Sequence, residues 1–376
     1  MPNPNAIVSR HIRLGAPPDR AAQEQIRTEG GLSVELDEGR RARLDPENPR
    51  TPGFAQVLDG LEKLGQPVYL EVDPETSAIT DLLIPLVARV IALDRGDAGY
   101  EVALDQSHAV HTLRREGPDF SGIEAELKAA LESGSPVIVT EDDAHEIIDV
   151  RPFRPGPEDG LLLPDRIIMP RRPGALAVLI WWVWYWPIWP WWWWWGYRCI
   201  TPAHAQQVFD AMAATTCNPL TVPPPCIPFL YPDDGCWARA HEMARLMINM
   251  GLLPRKVWIQ GSLHTLTRNN PNCYVNWGWH VAPTLCVRRR WYWFWFWSQR
   301  MVIDPSLFTT PVSEATWKGV QGDPNATLTQ TAASDYLWGQ TDPTYALTNQ
   351  KLAYYRLQLQ NRSNLPGGPP PYAHCP

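Results

Sequence analysis

The chain has 376 residues, enough to bury a core without help from metals or cross-links, and this length points to two domains. A formal net charge of −7 and the lack of any long Lys/Arg run exclude the electrostatic footprint of a nucleic-acid binder. The seven cysteines (199, 217, 226, 236, 273, 286 and 375) all lie in the second half, contain no CxxC pair and match zinc-ligand spacing poorly. An odd count leaves at least one thiol unpaired, and the pattern favours disulfides, with Cys217–Cys226 the first pair to test.

Residues 31–152 read as an internal duplication. SVELD (33–37) recurs as EVALD (101–105), and FAQVLDGLEKLGQPVYLEVD (from Phe54) recurs as FSGIEAELKAALESGSPVIVTEDD (from Phe120). Each copy predicts a strand, then a short helix, with Phe54, Val57 and Leu61 matching Phe120, Ile123 and Leu127. Each then returns to strand at PVYLEV or PVIVTE. The expected product is a compact α+β domain with two pseudo-equivalent halves and no nucleophile–base pair. His108, His111 and His145 are its only candidates, and at strand edges such residues are expected to be solvated.

A proline-rich boundary (152–173) precedes GALAVLIWWVWYWPIWPWWWWWGYR (174–198). On length this segment could span a bilayer, but tryptophan favours the headgroup interface, and Pro187 and Pro190 interrupt a helix. With the second aromatic run, WYWFWFW (291–297), it suits neighbouring strands or a projecting ribbon. The sharper alternative is a Trp-rich surface that contacts a membrane interface or a polymer.

Downstream, Ala240, Met243, Met247 and Met250 recur at helical spacing, with Arg239, Glu242 and Arg245 between them, and Gly251 is placed to end the helix. Cys236 heads this helix after Gly235. There the unpaired N–H groups and the helix dipole favour a thiolate. NWGWHVAPTLCV (276–287) and RMVIDPSLF (300–308) read as adjacent antiparallel strands that bring His280 and Asp304 together above the cysteine. Cys236, His280 and Asp304 are therefore the candidate nucleophile, base and orienting carboxylate. Cysteine, histidine and aspartate on helix, strand and strand is the order of papain-like and transglutaminase-like thiol enzymes. His241 and His264 compete for the role of base, although His241 points away from the thiol on the same helix.

YPDDGCWARAHEM, WGWHVA and VIDPSLF together resemble the bacterial protein-glutaminases, which deamidate glutamine side chains in intact proteins. The resemblance begins upstream at AHAQQVFDAMAATTCNPLTVPPPCIPF and continues through PVSEATWKG to LAYYRLQL, covering about residues 200–362. It implies that Cys236, His280 and Asp304 are the catalytic residues, that Tyr231 and Asp234 are placed to shape the cleft, with a turn-forming or helix-capping role the alternative for Asp234, that no metal or organic cofactor takes part, and that the partner is a protein with an accessible glutamine. The alternatives on the same triad are a thiol protease and a transglutaminase; a third is a non-enzymatic Trp-rich binding module.

The expected architecture is α+β. A duplicated domain (1–165), pro-like and inhibitory or targeting, precedes a Pro/Trp-rich connector (166–198), a transglutaminase/papain-like catalytic domain with its cysteine helix on an antiparallel sheet (199–365) and a Pro-rich tail (366–376). The N-terminus lacks the apolar core of a secretory signal, so a secreted or effector protein of this kind is expected to leave the cytoplasm by another route or with a signal outside this sequence. The aromatic runs are not a feature of the family, and the duplicated segment occupies the place of its pro-segment without sequence likeness to it.

Overall fold

The computed structural model describes residues 3–15, 31–156, 160–166, 199–218, 226–268, 270–291 and 295–364; of residues 270–273, 289–291, 295 and 296 only the backbone is described. The N-terminal half begins with β1 (Ala6–Ser9), β2 (Ile12–Leu14), β3 (Leu32–Leu36) and β4 (Arg41–Leu44). In β3, Leu32, Val34 and Leu36 are buried and Ser33 and Glu35 exposed, the period of two expected of a half-buried strand. Helix α1 (Thr51–Leu64) carries Pro52 in its first turn, where no N–H is needed, and stops at Gly65 in the left-handed region. Strands β5 (Val68–Val72), β6 (Ile79–Leu83), β7 (Leu86–Arg95), β8 (Gly99–Leu104) and β9 (His111–Arg114) follow. Helix α2 (Phe120–Ser133), β10 (Pro136–Glu141) and β11 (Ile147–Pro152) complete the half. Its sheets are ordered β1-β5-β6, β2-β3-β4 and β11-β10-β7-β8-β9. The order strand, strand, helix, strand, strand occurs twice, around α1 and around α2. Phe54, Val57, Leu61, Ile123 and Leu127 are buried, whereas Phe120 is only partly covered.

In the second half, α3 (Pro202–Ala213) is capped by the Thr201 hydroxyl, which accepts from the His204 N–H, and α4 (Cys236–Asn249) follows. Then come β12 (Arg255–Thr267), β13 (Asn270–Trp291), β14 (Trp295–Val302), β15 (Val312–Ser313), α5 (Glu314–Gly319), β16 (Thr327–Ala332), β17 (Asp335–Leu337), β18 (Gln340–Thr341) and α6 (Ala346–Ser363). The main sheet is antiparallel throughout, in the order β15-β14-β13-β12-β16, with α3 and α4 packed on β13. The molecule is thus a mixed α and β protein with several antiparallel sheets.

Strand β13 changes partners along its length. It pairs with β12 up to Thr284 and with β14 from Thr284 onward, so the edge facing β14 is left without that partner over residues 274–283. Helix α6 binds the two halves together. It packs on both α1 and α4, Tyr354 Oη and Gln358 Nε2 donate to the Ile84 carbonyl, and Asn361 Nδ2 donates to that of Leu82. One apolar cluster accordingly runs from Leu44 and Phe54 through Leu82 to Trp237, Tyr355 and Leu359.

Among the described residues, two disulfides, Cys199–Cys286 and Cys217–Cys226, staple the second half and fit an oxidising compartment. The first anchors the chain where it leaves the Trp-rich segment, beside the Ile200–Val287 bridge. That segment, and with it the expected meeting of the two aromatic runs, lies outside the described residues. Of the second run, the described residues lie on the facing ends of β13 and β14, with Trp291 opposite Trp295. No helix among the described residues is long and apolar enough to cross a membrane.

Cross-links restrict the unfolded chain more as the closed loop lengthens. Cys199–Cys286, with a sequence separation of 87, is expected to contribute about 4–5 kcal/mol, and Cys217–Cys226, with a separation of 9, about 3 kcal/mol. Urea unfolding of the paired serine variants should therefore show the larger midpoint loss for Cys199→Ser with Cys286→Ser.

Candidate active site

The approach to α4 is built by backbone constraints. Gly235 has φ 82°, and a Cβ there would lie 2.4 Å from the Tyr355 ring, so conformation and space both require glycine. Arg239 was expected on a polar face but is buried: its guanidinium turns back to donate to the carbonyls of Tyr231, Pro232 and Asp234, fixing the turn. Glu242 is also buried, paired with Arg245 at 2.6 Å, while Met250, expected in the apolar stripe, lies past the helix end and is 49 % exposed. Cys236 is left at the first helical position, buried and reduced, with the Val281 backbone N–H directed at its sulfur.

His280 lies on β13, and Asp304 lies just beyond β14. His280 Nε2 is 2.9 Å from Asp304 Oδ2, which also accepts from Trp317 Nε1 at 2.9 Å, while the Ser306 N–H donates to Oδ1. The imidazole stacks between Trp277 and Trp317, with centroids 4.6 Å and 5.5 Å away. These contacts fix the ring plane and leave Nδ1 without a hydrogen-bond partner. The competitors lie elsewhere. His241 Nδ1 accepts from Lys256 Nζ at 2.8 Å, and His264 stacks on Tyr274 and pairs with Asn276.

The residues between β8 and β9 close the site from the N-terminal half. The Gly278 N–H donates to the His108 carbonyl at 2.9 Å and the Val110 N–H to the Asn276 carbonyl at 3.0 Å, while Ala109 bridges antiparallel to Trp277. The loop thus occupies the edge that β14 leaves open. Asp234 receives it: Oδ1 accepts from the His108 and Gly235 N–H groups at 3.0 and 2.8 Å, and Oδ2 accepts from Tyr355 Oη at 2.6 Å. His108 Nδ1 also lies 2.8 Å from Oδ1, at hydrogen-bond distance but without linear alignment, and its Nε2 has no partner. One donor atom each of His108, Cys236 and His280 lie within 4.8 Å of one another.

The loop is braced from its own side. Arg89 pairs with Asp105 at 3.2 Å, Gln106 Nε2 donates to the Val87 carbonyl, and Ser107 Oγ contacts His111 Nε2 at 2.8 Å. His111 and His145 in turn each meet Glu141 through Nδ1. The expectation that the three N-terminal histidines are solvated is overturned: His108 and His111 are fully buried, and His145 is largely covered, because the two halves and the Glu141 carboxylate enclose them. Trp317 and Tyr355 are site residues that sequence reasoning missed, and His108 is one that it named but set aside as solvated. Trp317 stands in PVSEATWKG and Tyr355 in LAYYRLQL, but His108 carries no motif signal.

Burial reverses the electrostatics expected for the thiol. The Cys236 pKa is pushed well above its ordinary value by burial, which outweighs the opposing Arg239 guanidinium; Asp234 adds to the rise and the Val281 N–H opposes it. Burial likewise lowers His108 to about 3, leaving a neutral imidazole. It works against ionisation of Asp304, but His280 and the donor Trp317 outweigh it and hold that carboxyl below its usual range.

Residues 205–321 match a family model described as glutaminase. The crystal structure of a pro-protein-glutaminase shares the fold, with a TM-score of 0.50 and 22 % identity over 78 % of this chain and 97 % of its own. The NMR structure of protein-glutaminase from Chryseobacterium proteolyticum aligns with a TM-score of 0.35 and 25 % identity over 47 % of this chain and 97 % of its own. No curated protein matches the sequence.

The histidine bracing has a pH signature. Burial alone would lower the His145 pKa, but Glu141 beside it raises it to about 10. A histidine raised in the folded state contributes its full stability below its unfolded pKa of about 6.5, and loses that contribution as pH rises toward the folded value. Urea midpoints should therefore fall more steeply from neutral to alkaline pH in the parent chain than in His145→Gln.

Proposed function

Because residues 205–321 match a family model described as glutaminase, we propose that the chain is a glutamine-deamidating hydrolase acting on proteins, with Cys236, His280 and Asp304 as its catalytic triad and its N-terminal half as a tethered cover. The observation that carries the reading is the His280–Asp304 pair at 2.9 Å beside a reduced Cys236 at a helix start, all three inside or at the edge of the matched motifs.

In this mechanism His280 takes the proton of the Cys236 thiol, and the sulfur attacks the carboxamide carbon of a substrate glutamine. Backbone N–H groups at the start of α4 hold the oxyanion. His280 returns its proton to the departing nitrogen, ammonia leaves, and a γ-glutamyl thioester remains. Water, deprotonated by the same imidazole, hydrolyses the thioester to glutamate and regenerates the thiol. Asp304 keeps the ring in the productive tautomer, and Trp277 and Trp317 limit its rotation. A thiol protease or transglutaminase would share the first step but not the product: deamidation leaves the peptide chain intact and incorporates no amine.

Residues 1–165 are the cover in this reading, and the two strand–strand–helix–strand–strand units within them are read as repeats. Tethering keeps the loop at a high effective concentration over the thiol, so modest contacts suffice. Separating the halves re-exposes Cys236 to water, where the helix start favours the thiolate.

Ammonia release from a glutamine-rich protein, with intact-mass analysis of that protein, tests the chemistry. Cys236→Ala and His280→Ala should each fall by more than about a thousandfold, with Asp304→Ala retaining a small residual rate. Turnover by Cys236→Ala comparable to that of the parent would overturn the assignment. For the cover, a protease site introduced between residues 166 and 199 should, on cleavage and removal of the N-terminal fragment, raise both activity on a short glutamine peptide and the rate of Cys236 alkylation. Unchanged rates on a folded fragment would remove the cover from the account.

A further inference from the structure

The cover brings more than bulk to the thiol. His280 uses Nε2 on Asp304 and leaves Nδ1 unpartnered, and His108 leaves Nε2 unpartnered while its Nδ1 faces Asp234. All three side chains are about 1 % exposed, and one donor atom from each lies within 4.8 Å of the others. Two imidazoles and a thiol are the donor set of a tetrahedral zinc site, and an imidazole backed by a carboxylate is the usual support for one. Tetrahedral bonds of about 2.0–2.3 Å require ligand atoms roughly 3.3–3.8 Å apart, so side-chain adjustments of about 1 Å would close the set.

We propose that the covered form holds one Zn²⁺ ion on Cys236, His280 and His108, which latches the N-terminal half over the reactive thiol. The site deepens the reading of residues 1–165 as a cover and rests on it. On binding, the Cys236 S–H proton leaves to solvent, the thiolate and the two neutral imidazoles each donate a lone pair, and one water completes four-coordination. No oxidation state changes. Because one ligand comes from the N-terminal half, separating the halves destroys the site, and withdrawing zinc loosens the cover. The ligands fall at 108, 236 and 280, far outside local zinc-ligand spacing, so their convergence is set by the fold alone.

A second metal-capable cluster, His111, Glu141 and His145, is already satisfied internally. Both Nδ1 atoms meet the Glu141 carboxylate, and His111 Nε2 meets Ser107.

The test uses the full chain and Co²⁺ as a spectroscopic probe, equilibrated after removal of metals with a chelator. One equivalent should bind with a near-ultraviolet thiolate-to-cobalt charge-transfer band and the visible bands of tetrahedral cobalt. Cys236→Ser, a near-isosteric change, should abolish the charge-transfer band. His108→Gln should weaken binding by more than the roughly 10–100-fold typical of an outer-shell change. Zn²⁺ should displace the cobalt and raise Tm in the parent chain but not in His108→Gln. The proposal is overturned by the absence of a charge-transfer band, by a band that survives Cys236→Ser, by unchanged affinity in His108→Gln, or by binding without thiolate character that disappears in His111→Ala. None of these readouts uses glutaminase activity, so an inactive enzyme and a missing metal site are separate failures.

Discussion

The arrangement depends on one buried carboxylate. Asp234 accepts from the N-terminal loop at His108, from the start of α4 at Gly235 and from α6 at Tyr355. Burying a carboxylate costs several kcal/mol even after relaxation, and only well-placed donors offset that cost. Burial pushes its pKa up, but the contacts with His108 and Tyr355 outweigh burial and hold it below the usual range. Removing any one partner leaves part of a buried charge unanswered. The loop's seat on β13, the entry to the cysteine helix and the position of α6 are therefore coupled through a single side chain.

The parts of this site legible in the sequence were those encoded locally. A glycine turn before Ala240, Met243 and Met247 at helical spacing marks α4 and puts Cys236 at its head. Alternation around His280 and Asp304 marks strands that a short connection must bring together. The structure brings these residues to 2.9 Å. Nothing in such patterns reports a partner 126 residues away, which is the separation of His108 from Asp234. Polarity also misleads where local carbonyls need a donor. Arg239 sits between apolar positions, yet it is buried because the turn at 231–235 has three carbonyls for its guanidinium to satisfy. Met250 shows the converse, since an apolar residue one position past the helix has no surface left to cover.

Two opposing effects act on the thiol, and their sizes decide its state. A helix N-terminus stabilises a negative charge by about 0.3–1 kcal/mol at exposed sites and up to about 2 in favourable geometry, equivalent to about 1.5 pKa units or less. Full burial can shift a group by about 3–5 units the other way. With the loop seated, burial dominates and favours the protonated thiol. With water admitted, the burial contribution falls and the helix contribution persists. The same helix start is thus compatible with a silent cysteine and with a nucleophile, and in the proposed reading solvent access selects between them without any change in α4.

In the proposed reading, a cover over a glutamine-hydrolysing site must not itself be a substrate, and the bracing of the loop fits that condition. It contains Gln106 two residues before His108, yet the Gln106 carboxamide is engaged by the Val87 carbonyl, and the side chain grouped with the thiol is an imidazole. The same bracing explains how little main-chain contact the closure uses. Asp105 is tied to Arg89, and Ser107 to His111 and through it to Glu141, so the loop is braced within the N-terminal half as well as against β13. The entropy of ordering that would otherwise oppose closure is largely removed. Two strand-edge hydrogen bonds and the Asp234 contacts can then hold an ordered loop over the thiol.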